Sequence, residues 1–214
     1  MLDLPNIDFK KTNTNPTIDS DTSLYTLPFY KDTEYFSNLD NFVGFVKAVE
    51  TLVRTSKYYS RYISYIKSEV GLNFCQVLSN IKQDDEETDI NIEMHHGPIL
   101  TLFDYICILV DWSLYNNKKI TTFSIANKML EEHFANRVQI VMLSKTVHEE
   151  VHENNVFLNT KHAFGDLNAF LVKYKDGLSQ EQIDKINKYI SLCEKYDSFD
   201  KGTLTLRENI KKWS

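Results

Sequence analysis

The sequence predicts an α+β protein, mainly helical, with one small β-hairpin. Three observations lead there. Apolar residues recur at spacings of three and four along most of the chain beyond residue 33, the period of an amphipathic helix. Only two short stretches, Ile90–Met94 and Val138–Leu143, read as strands. The 214 residues contain only 6 Gly and 4 Pro, too few for an all-β chain with many tight turns. A hydrophobic content of 42% with 25% charged residues gives the chain enough apolar side chains to bury a core.

Taken in order, residues 1–32 are polar and rich in Pro, Thr, Asn and Asp, with anchors at Phe9, Leu24, Leu27 and Phe29. They read as an extended arm that packs across the domain or docks on a protein partner or a second copy. Residues 33–88 form a helical region. Phe42, Phe45, Val46, Val49 and Val53 mark one helix, and Tyr59, Tyr62, Ile63 and Ile66 a second that stops near Gly71. The apolar run Leu72–Ile81 is expected to continue the helical region, and KQDDEETD (82–89) to be a solvated loop. Ile90, Ile92 and Met94 alternate with polar residues as a strand, and His95-His96-Gly97-Pro98 ends it.

Apolar helices at Thr101–Tyr115 and from Thr122 or Ser124 to His133 fill an insertion, 99–134, between the two strands. After the second strand, Lys145–Glu153 is helical, with Val147 and Val151 on one side and His148 and His152 four apart. A helix follows around Ala163–Tyr174. The last clear helix starts at Ser179, where Ser179 and Gln182 make a capping box. Residues 89–160 are thus read as a core unit and 161–214 as C-terminal helices.

Charge and cysteine content exclude several classes. Lys plus Arg is 24 against 30 for Asp plus Glu, a net charge of -6, and only four of the cations are Arg. Bulk positive charge therefore does not hold this chain to nucleic acid. Cys75, Cys107 and Cys193 are far apart and form no CxxC, so they are expected to be buried thiols rather than a disulfide framework. The longest apolar run, Ile99–Leu114, is broken by Asp104 and Asp111, and residues 1–30 lack a secretory pattern, so a cytoplasmic setting without a membrane span is expected.

All six histidines lie between His95 and His162. His148 and His152 share a helix face, a spacing that suits a divalent ion. Adjacent residues on a strand point to opposite sides, so only one of His95 and His96 can face that ion. The order strand, His95-His96-Gly97-Pro98, insertion, Asn136, then Leu143-Ser144-Lys145-Thr146-Val147-His148 through His152 resembles the HNH, or ββα-metal (His-Me finger), endonuclease superfamily. It is most similar to the bacteriocin-type DNase variant and covers about residues 90–155. The resemblance implies a ββα-metal core carrying a long helical insertion.

It also implies one divalent ion (Mg, Mn, Ni or Zn) on His95, His148 and His152, with His96 as general base and Asn136 orienting it. DNA would be the substrate of an endonuclease or nickase. Many members hold a structural zinc through L-C-x-x-C; Ser144 and Val147 occupy those cysteine positions, so none is expected. Glu93 is a candidate second carboxylate behind a ligand imidazole, His133 a candidate lining group, and Arg137 and Lys145 candidate phosphate contacts. The small size and the Lys, Asn and Tyr excess of an A/T-rich genome suggest a phage protein. The alternative to the enzyme is a non-catalytic phage structural or host-interaction protein that reuses the fold, motivated by the acidic balance, the scarce Arg and the arm.

Overall fold

The computed structural model describes residues 30–83, 90–196 and 198–213. Nearly all of the expected arm, 1–32, lies outside them. Helix α1 (Thr33–Phe36) leads into α2 (Leu39–Thr55) and α3 (Lys57–Ser68). Asn38 caps α2 by accepting from the N–H groups of Asp40 and Asn41, and Ser56 caps α3 through the N–H of Tyr58. Phe45, Val46, Val49 and Val53 of α2 and Tyr59, Tyr62 and Ile66 of α3 are buried, as the helical spacing requires.

The segment Leu72–Ile81 departs from the expected helix. Phe74 bridges Lys82, Cys75 N–H donates to the Ile81 carbonyl, and Gln83 N–H donates to the Asn73 carbonyl. Its apolar residues follow contacts with the sheet instead of a helical period, because Gln76 exchanges bonds with Met142 through both its backbone and its side chain.

Strands β1 (Ile92–His96) and β2 (Ile140–Ser144) pair antiparallel, with His95 opposite Val141 and His96 opposite Ile140. The outer edge of β2 is closed at one end by Gln76 and at the other by Phe164, which exchanges two backbone bonds of 2.8 and 2.9 Å with Ile140. That cover satisfies an edge which would otherwise invite foreign pairing. Next to Phe164, Gly165 adopts φ +107 so close to Val138 that a Cβ would lie 2.1 Å from its carbonyl oxygen. Only glycine fits there.

Between the strands run α4 (Leu102–Tyr115) and α5 (Thr122–Phe134), each opened by a capping box, Thr101 with Asp104 and Thr121 with Ser124. Helix α4 is buried on nearly every side and forms the centre of the core, packed against α2, α5 and α7. Strand β2 passes directly into α6 (Lys145–His152), then α7 (Leu167–Tyr174), α8 (Gln180–Lys195) and α9 (Lys201–Trp213). Helix α9 lies beyond the last helix that the sequence pattern marks clearly, α8. In α9, Thr203, Leu206 and Ile210 carry the buried face, only two of them apolar. The mostly helical architecture with one two-stranded sheet agrees with the α+β expectation. All three cysteines are buried and free.

Candidate metal centre

The pleat of β1 separates the histidine pair. His95 points toward α6, and His96 points into the helical core. On the α6 side, ring centroids lie 5.0 Å apart for His95 and His148, 5.1 Å for His95 and His152, and 4.6 Å for His148 and His152. One nitrogen from each ring falls within 4.8 Å of the others, the one such convergence of three His, Cys, Asp or Glu side chains among the described residues.

The Nε2 atoms of His148 and His152 are 3.0 Å apart. Two nitrogens at right angles around an ion, with bonds of about 2.1 Å, are separated by about 3.0 Å. The His148–His152 pair therefore suits two ligands of one divalent cation, and one nitrogen of His95 lies within 4.8 Å of both. Glu93, two residues before His95 on the same strand face, places Oε2 2.6 Å from His148 Nδ1. That bond puts the proton on Nδ1 and leaves the Nε2 lone pair directed at the cluster. Asn91 donates to the other Glu93 oxygen at 3.2 Å.

Burial, and then the neighbouring His148 and His152, lower the pKa of His95 to about 4, so at neutral pH the ring is uncharged and ready to donate its lone pair. A Cβ on Gly97 would stand 2.9 Å from His95 Nε2, so glycine leaves that ring its space.

The inward imidazole has a different environment. His96 is 6% exposed, lies parallel to the Tyr59 ring with centroids 6.2 Å apart, and its Nε2 is 3.0 Å from Nε2 of His133. His133 Nδ1 donates to the Met129 carbonyl at 2.8 Å, which assigns the Nε2 proton to His96. Burial drives both pKa values down, to about 4 for His133 and well below the usual imidazole range for His96, and the pair is neutral. A general base must reach a water on the metal side. His96, as positioned, faces the core and its Nε2 is engaged.

Asn136 does not orient His96. It takes φ +53 just past the end of α5, its carbonyl accepts from Asp166 N–H at 2.8 Å, and its buried Oδ1 makes no hydrogen bond among the described residues. The left-handed conformation is the reason an asparagine serves there. The orienting partner of His96 is His133, 37 residues away in sequence, which local spacing could not reveal.

Arg137 is also committed elsewhere. Its Nε and Nη2 donate to the fully buried Glu132 at 2.5 and 3.2 Å, and Lys173 and the Tyr174 hydroxyl donate to the same carboxylate at 2.6 Å each. A phosphate would have to break that cluster. Lys145 is exposed at the first position of α6. Arg54, on the last turn of α2, was not singled out in the sequence, yet its positive charge further lowers His95, His96 and His133. His162 closes a short 3-10 turn, Thr160–His162, and plays no part in the cluster.

These features define a β-hairpin and helix bearing a three-imidazole cluster, embedded in a larger helical protein. The chain belongs to the bacteriophage G278-like virion protein family, whose model matches residues 4–212. It is thus a phage protein. No curated protein and no solved structure matches it. No helix among the described residues is long and apolar enough to cross a membrane.

Proposed function

We propose that this virion protein holds one divalent cation on His95, His148 and His152 and acts in the particle as a metal-braced structural or host-interaction component. The observation that carries this reading is the convergence of three imidazoles on one point with Glu93 behind His148. The ion would tie α6 to β1, adding to the Glu93–His148 bond that already joins them. An all-nitrogen donor set favours Zn or Ni over Mg, which prefers oxygen ligands.

Elemental analysis of purified wild type against His148→Ala tests the reading. About one Zn or Ni per chain in wild type and none in the variant is expected, with a melting temperature that falls on chelation. Bound metal at a saturating hundredfold excess over Kd stabilises by about 2.7 kcal/mol. A metal-free wild type whose melting ignores added Zn and Ni would refute it.

A second reading, hydrolysis of DNA phosphodiesters by an HNH-like site, is favoured by one observation: His152 is exposed and the cluster opens to solvent. A cation there would polarise a phosphodiester as a Lewis acid. His95, His148 and His152 would hold that cation, and Glu93 would keep His148 in the ligating tautomer. The inward His96 does not reach the metal side as the general base of that chemistry, so the structural reading is preferred. Plasmid nicking with Mg, Mn, Ni or Zn that disappears in His148→Ala would reverse that preference.

A further inference from the structure

The turn joining α4 to α5 is basic in a chain of net charge -6. Lys118 and Lys119 are exposed on it and shared by two cavities of about 320 and 330 Å³, where with Lys31 in the first and Lys128 in the second they outnumber the one carboxylate in each, Asp32 and Glu131. Lys119 Nζ lies 4.8 Å from the Tyr30 ring centroid and Lys128 Nζ 4.7 Å from that of Trp112. The aromatic faces hold the long stems in place.

Among the described residues, none of Lys31, Lys118, Lys119 and Lys128 has a carboxylate within 4.0 Å, whereas Glu132, Asp104 and Glu50 each hold a cation. Burial pushes the Lys128 ammonium below its usual range, and the charges of Lys173 and Lys118 push it further against the opposing pull of Glu131 and Glu132. Like charges gathered this way repel until a counter-charge binds. From Thr122 to His133 is about 16 Å along the helix at 1.5 Å per residue, so the turn lies at the far end of α5 from the imidazoles.

The counter-charge is written in the same chain. Asp84, Asp85, Glu86, Glu87 and Asp89 put five carboxylates into six residues. They account for five of the six net negative charges, so the rest of the protein stands at about -1 and two copies can approach without strong net repulsion. We propose that the lysine turn, Lys118–Lys119 with Lys31 and Lys128, docks the acidic segment 84–89 of a second copy of this chain. Patch and segment are separate stretches of the chain, so the contact can close reciprocally into a two-fold pair or continue head-to-tail into rings or open chains. Virion proteins act in assemblies, where each copy can offer both surfaces at once.

Light scattering and sedimentation of the full chain test this. The mass of wild type should grow with protein concentration at about 0.1 M salt and collapse to monomer near 1 M, across which the screening length falls from about 10 to about 3 Å. Lys118→Glu with Lys119→Glu should weaken association at least tenfold, and Asp84→Lys with Asp85→Lys and Glu86→Lys should do the same. Mixing the two variants should restore association, because each then meets a complementary partner. The substituted lysines are exposed, and circular dichroism verifies that both variants keep the fold. A wild type that stays monomeric at low salt would overturn the proposal, as would variants that associate like wild type or a mixture that stays dispersed. Loss of binding to a duplex oligonucleotide in the lysine variant, with self-association untouched, would assign the patch to nucleic acid instead.

Discussion

Replacing Glu93 tests the metal centre through a residue that touches no metal. Its Oε2 receives the Nδ1 proton of His148 at 2.6 Å, and the two side chains are 33% and 23% exposed. Removing such a partner behind a ligand imidazole costs roughly 10- to 100-fold in metal affinity, because the ring loses its fixed tautomer and part of its basicity. Each tenfold is about 1.4 kcal/mol. Water reaches this pair and replaces part of the lost bond, so Glu93→Ala should fall at the lower end, about tenfold. Glu93→Gln keeps an acceptor without the charge. Charge-assisted bonds are about twice as strong as neutral ones, so it should lose roughly half that free energy, a factor of about three. Competition with a chelating indicator for Zn and Ni measures both affinities, and melting in EDTA measures the metal-free fold. Glu93→Ala binding Zn within about a factor of two of wild type would refute the arrangement. So would a metal-free stability loss as large as the loss in binding energy.

The two remaining predictions concern buried ionisable groups. Glu132→Ala removes the acceptor shared by Arg137, Lys173 and Tyr174; breaking a buried pair costs about 3–5 kcal/mol. Arg137 and Lys173 are 30% and 44% exposed and can rehydrate, so a loss of about 2–4 kcal/mol in urea unfolding is expected, chiefly from the stranded Tyr174 hydroxyl. Burial pushes the Glu132 carboxyl up, but the bonds from Arg137, Lys173 and Tyr174 outweigh it and hold it below its usual range. Its stabilisation is therefore present above the ordinary carboxylate pKa and lost as pH falls through the lower folded value. His133 works in a higher window. Burial lowers it from 6.5 to about 4 despite the Met129 bond, so the unfolded chain takes up its proton first. Stability should decline as pH drops from 6.5 toward 4, by roughly 3 kcal/mol for this group. Urea midpoints measured in EDTA across that range should fall less steeply in His133→Gln, and an unchanged slope would show that the ring is not buried neutral.

Much of the site was legible because it is local. The spacing of four placed His148 and His152 on one face of α6, and strand alternation sent His95 and His96 to opposite sides, both as observed. Thr101 was legible as the start of α4, where its side chain accepts from Asp104 N–H as the N-cap. Helix α5 was expected to be capped by Thr122 or Ser124; Thr121 caps it, with Ser124 closing the capping box. Leu72–Ile81 misled because its apolar residues answer to β2 and not to one another.

The roles of the charged and polar residues around the cluster needed the fold. Arg137 looked available until Glu132 appeared beside it with Lys173, which lies 41 residues from that carboxylate. His96 looked like a free base until His133 was found 37 residues away with its Nε2 facing it. By itself the sequence determined most of the elements, the faces they present and the side of the sheet on which each histidine lies, because the helix and strand periods couple residues within about four positions. Only the tertiary structure decided which of those groups are open to solvent and which are already held. Burial and pairing depend on contacts between residues far apart in the chain, and a buried polar group keeps the partner that the packing gives it.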